Sequence, residues 1–199
     1  MDSPLATLLP IAVLWLAAGV VADGLPRLDR ARALRRRAGH LLILTLVALT
    51  LTVTVLAAGL FSAGNTPADQ AATALNLAGL PALVVAVCTV RRVRRLRAGA
   101  GAFAAAPETP APHGLRAAAA HPLIGLPLQV TGVLTVPAVV AAGGTDLLAA
   151  PGVTGPVITV GALGILTIGV RHALRHSRLA ERARPDPPRS TRAPGPLHV

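Results

Sequence analysis

Between Ala71 and Val90 twenty consecutive residues carry no charge, and five arginines then arrive within seven positions: Arg91, Arg92, Arg94, Arg95 and Arg97. A helix of that length rises about 30 Å, enough to span the hydrocarbon core of a bilayer. Basic residues are retained on the cytoplasmic side during insertion, so the arginines mark the exit. Ala74, Ala78, Ala82 and Ala86 recur every fourth residue in this run. In lipid, where helix association relies on close van der Waals contact, such a ridge is suited to helix packing.

Four further apolar blocks share this character. The expected spans are 5–22, 40–61, 71–90, 121–142 and 153–170, and none contains Asp, Glu, Lys or Arg. The chain is 53% hydrophobic and only 14% charged, which leaves no room for a sizeable soluble domain. The expected fold class is all-α: a polytopic integral membrane protein of five transmembrane helices, its membrane domain covering 1–184. Residues 98–120, rich in Ala, Gly and Pro, read as a flexible cytoplasmic loop, and 185–199 as a disordered cytoplasmic tail.

Charge sets the orientation. All nineteen basic residues are arginine, and they fall in only three places: six after the first block, six after the third and seven after the fifth. The N-terminus and the two remaining connections hold Asp2, Asp69 and Asp146 with no arginine. The N-terminus is therefore expected outside and the C-terminus in the cytoplasm. The first block is preceded by an acid and followed by arginines. That is the reverse of a secretory signal peptide, so it reads as an uncleaved span. The bias toward Ala, Gly, Pro, Val and Leu, with arginine replacing lysine, suggests a high-GC bacterial genome and hence the bacterial inner (plasma) membrane.

A parallel repeat is visible on moving the second block by 81 positions, where His40 meets His121, Thr50 meets Thr131 and Thr54 meets Thr135. Such a repeat would arrange the helices as one plus two hairpins. Chance similarity among apolar, low-complexity helices is the preferred explanation of the matches.

Chemistry-bearing residues are sparse. Without lysine, Schiff-base chemistry is excluded, and the lone Cys88 forbids an intrachain disulfide. Spans without Asp, Glu, Lys or Arg argue against ion-coupled transport. The intramembrane polar candidates are Asn76 and Gln129, read first as interhelical hydrogen-bond donors. His172 and His176, four apart, could share a helix face toward a metal. However, no acid stands beside them to complete a ligand set, so interfacial side chains are expected and no metal or cofactor. Gly99–Phe103 faintly resembles a dinucleotide-binding turn but follows no strand, and linker is preferred.

Arg171, Arg175, Arg178 and Arg182 follow one helical face and, with the arginines at 91–97, are expected to meet anionic headgroups. Only three aromatic residues, Trp15, Phe61 and Phe103, are available for base stacking, which speaks against nucleic acid. The expected partners are the bilayer and either another protein or a second copy. The expected function is a non-catalytic accessory or assembly component. A small permease or channel for an uncharged solute is the main alternative, and a membrane-anchored nucleic-acid binder a second.

Overall fold

The computed structural model describes residues 4–62, 64, 66–106, 108–145 and 152–183. The expected tail 185–199 and the outer acids Asp2 and Asp146 lie outside the described residues. Among the described residues seven α-helices follow in order: α1 Pro4–Gly24, α2 Ala31–Phe61, α3 Pro67–Val84, α4 Val90–Ala102, α5 His113–Ala119, α6 Pro122–Ala142 and α7 Thr154–Arg182. A π-helical turn, Val85–Thr89, joins α3 to α4, so that 67–102 form one continuous rod. Five helical segments are each long and apolar enough to cross a membrane. The chain is a multi-pass, all-α membrane protein.

Four of the five rods close a bundle. α1 packs on α6 over the most extensive interface, α6 on α3, α3 on α2 and α2 on α1, with α7 attached outside against α5 and α6. Glycines let α1 and α6 approach. A Cβ on Gly132 would lie 3.3 Å from the Leu16 backbone nitrogen, and one on Gly19 would lie 3.1 Å from Gln129 Cγ. Because lipid provides little hydrophobic drive between helices, this backbone proximity carries much of the association. Trp15, fully buried, donates from Nε1 to Thr52 Oγ1 at 3.1 Å and fastens α1 to α2. Thr52 in turn donates to Ala48 O at 2.7 Å, so neither polar group faces lipid unpaired.

The alanine ridge of α3 is buried only in its middle. Ala78 and Ala82 are inside, Ala74 is partly covered and Ala86 is exposed. The physical reason is geometric: steps of four advance about 40° beyond a turn, so the ridge slants off the contact seam. The buried line runs instead through Ala71, Leu75, Ala78, Ala82, Val85, Thr89, Val93, Leu96 and Ala100, in mixed steps of three and four that hold it on one helix face.

That line shows why the helices outrun the expected spans. Val93, Leu96 and Ala100 of α4 are buried, as are Ala31, Leu34 and Ala38 of α2, and the two helices are in contact. Arg91, Arg94, Arg95 and Arg97 point outward and Arg92 is half-covered. The bundle therefore continues beyond the apolar blocks as an amphipathic pair.

The stretch 98–120 differs from the flexible loop expected. Its start completes α4 and its end forms α5. Between them, Ala111 N donates to Asp29 O at 2.6 Å and Ala31 N to Thr109 O at 3.1 Å. The second bond satisfies one of the orphan donors at the start of α2. Prolines in this segment disfavour a long helix without preventing local pairing.

The two hairpins of the suggested repeat also pack differently. α2 and α3 touch extensively, whereas α6 and α7 meet far less. At the opposite end of the molecule, Thr66 and Asp69 form a reciprocal capping box at the start of α3, and Ser62 Oγ donates to Asp69 Oδ2 at 2.5 Å.

Candidate functional site at the arginine-rich end

α7 is held by a polar cluster at one end and little else. Only 6% of its apolar window is buried, against 28% or more for the other four rods. Its attachment centres on Asp23, in the last turn of α1. Arg171 Nη2 lies 2.7 Å from Asp23 Oδ2, Arg175 Nη1 3.0 Å from Oδ1, and Arg27 Nη2 3.3 Å from Oδ2. Arg175 Nη1 also donates to the Asp23 carbonyl at 2.9 Å, capping one of the free carbonyls at the helix end. A carboxylate at a helix C-terminus opposes the macrodipole, and the three guanidiniums offset that cost. The Asp23 side chain keeps 17% of its exposure and that of Arg175 22%, so this cluster is sheltered while Arg171, at 54%, is open.

One turn deeper, His172 is buried. Its Nε2 lies 3.0 Å from Gln129 Oε1, and Gln129 Nε2 donates to Gly19 O at 3.4 Å. A chain of polar contacts thus runs from α7 through α6 to α1. The imidazole fits only because residue 125 has no side chain, since a Cβ there would collide with the ring. His176 points elsewhere: its Nδ1 is 3.2 Å from Ala117 O on α5, and its ring centroid is 5.0 Å from that of His121.

The π-turn adds a further fastening. Pro127 has no N–H, which leaves the Leu123 carbonyl without its helical donor. Thr89 Oγ1, inside the π-turn, donates to that carbonyl at 2.7 Å. The wider turn thus lies where α3 must repair a defect in α6.

The structure separates several residues grouped by sequence. His172 and His176 engage different helices, and no group of three or more metal-ligating side chains occurs among the described residues. Asn76 is exposed on α3, whereas Gln129 is turned inward to His172 and Gly19. Arg171 and Arg175, expected at headgroups, bind Asp23, while Arg178 stays exposed. Sequence reasoning overlooked Asp23, Gly125 and Thr89. An acid in the last turn of a span ahead of an arginine-rich segment is a usable signal for the first, and a proline inside a neighbouring span for the third.

In comparisons with known proteins, no family model, curated protein or solved structure matches the chain.

Proposed function

We propose that this chain is a non-catalytic component of a larger membrane assembly, lying in a bacterial plasma membrane with its arginine-rich end in the cytoplasm. The carrying observation is the unequal attachment of α7. Its arginine-rich end is fastened by Asp23 and Gln129, while its other half stands apart from α6 across an apolar groove of about 660 Å³. Ile158 and Val160 line that groove and are exposed, and Gly161 and Ala162 form a small-residue step beside them. A transmembrane helix of a partner subunit suits such a groove, because small residues allow close backbone approach. The permease alternative would want Asn76 and Gln129 on one cavity, and they face different ways.

Gly161→Leu fills the step without adding charge. Extracted in mild detergent from native membranes, the wild-type chain is expected to run as a complex larger than itself, and the variant as the single chain. Equal sizes for the two would contradict the reading.

Orientation is tested separately in a Cys88→Ser background. Thr145→Cys is expected to react with a membrane-impermeant thiol reagent on whole cells, and Ala105→Cys only after permeabilisation. The opposite pattern would reverse the topology.

A further inference from the structure

A cleft of about 930 Å³ opens at the arginine-rich end between α7, α5 and the Leu25–Arg27 turn. One face of α7 forms a wall whose character changes along its length. Leu166, Val170 and Leu174 are apolar, and Arg178 and Arg182 follow at the same helical spacing. Arg116 reaches in from α5. Its Nη1 pairs with Asp29 at 3.2 Å, but its buried Nε has no hydrogen-bond partner. Arg171 and Arg175 spend their charge on Asp23, whereas Arg178 and Arg182 are exposed. The cleft thus joins unspent guanidiniums to an aliphatic floor.

We infer that this cleft binds an anionic phospholipid, with its phosphate among Arg116, Arg178 and Arg182 and an acyl chain along Leu166, Val170 and Leu174. Guanidinium forks match phosphate oxygens in pairs. From Arg178 to Leu166 the helix rises about 18 Å, comparable to the roughly 15 Å of hydrocarbon in one leaflet. A soluble phosphate compound would leave the aliphatic floor unused, and a nucleic acid would find no aromatic side chain in the cleft lining. This site is independent of the groove on the other half of α7, so either proposal can fail alone.

The test is native mass spectrometry of the full chain in a neutral detergent, with equal amounts of dioleoyl phosphatidylglycerol and dioleoyl phosphatidylcholine. Wild type is expected to retain one phosphatidylglycerol in preference to phosphatidylcholine. Arg178→Gln with Arg182→Gln should weaken that retention about tenfold. Arg32→Gln with Arg36→Gln, which removes the same charge from an exposed face of α2, should leave it unchanged. Both pairs are solvent-facing, and equal melting temperatures check that all chains are folded. The proposal is overturned by equal retention of the two lipids, or by equal loss in the two arginine pairs. It is also overturned if sn-glycerol 3-phosphate displaces the lipid at equal concentration, or if a duplex DNA oligonucleotide is held more tightly than the lipid.

Discussion

Asp23→Asn is expected to loosen α7 and lower the melting temperature of the purified chain by about 5 °C, the equivalent of roughly 2 kcal/mol. That magnitude lies between the small contribution of exposed ion pairs and the large cost of orphaning a buried charge. The intermediate value follows from the sheltered but not fully buried geometry, in which one carboxylate serves Arg27, Arg171 and Arg175. The arginines are not equivalent. Arg175 contacts both the carboxylate and the terminal carbonyl of α1, whereas Arg171 makes one bond from an exposed position. Arg175→Gln should therefore cost more than Arg171→Gln. Equal effects for those two, or an unchanged melt for Asp23→Asn, would mean that α7 is held by its apolar contacts instead.

Gly125→Ala is the second large effect. One added methyl would occupy the space of the His172 imidazole, so either the ring leaves Gln129 or α7 is displaced. Overpacking and the loss of the part-buried His172–Gln129 hydrogen bond together should destabilise by about 2–3 kcal/mol. The diagnostic is coupling. His172→Ala removes the obstacle, so the Gly125→Ala/His172→Ala double variant should be more stable than the sum of the single losses implies. Additive losses measured by thermal melting would show that the two residues do not oppose each other.

These two sites mark the limit of what sequence conveys for this chain. The spans were legible because a bilayer excludes charge, so each uncharged block declares itself without knowledge of its neighbours. The helical continuation of α2 and α4 was partly legible, since Val93 and Leu96 interrupt the arginines at helical spacing. What could not be read was pairing. Asp23 meets Arg171 and Arg175 across about 150 residues of chain, and composition cannot select those two from nineteen arginines. Gly125 resembles any other glycine in an apolar block until a histidine 47 positions later is folded against it. The alanine ridge drew attention through its regularity, yet the true seam takes steps of three and four residues and mixes Ala, Leu, Val and Thr.

α7 is anchored by its arginine-rich end, and in the proposed assembly its other half receives a partner helix. The most direct measurement is photo-crosslinking in native membranes from a photoreactive residue replacing Val160, beside the same probe replacing Leu80, an equally open position on α3. A protein adduct of one defined mass is expected from position 160 and only lipid adducts from position 80. Lipid adducts alone at both positions, or the same protein adducts in equal yield from both, would contradict it.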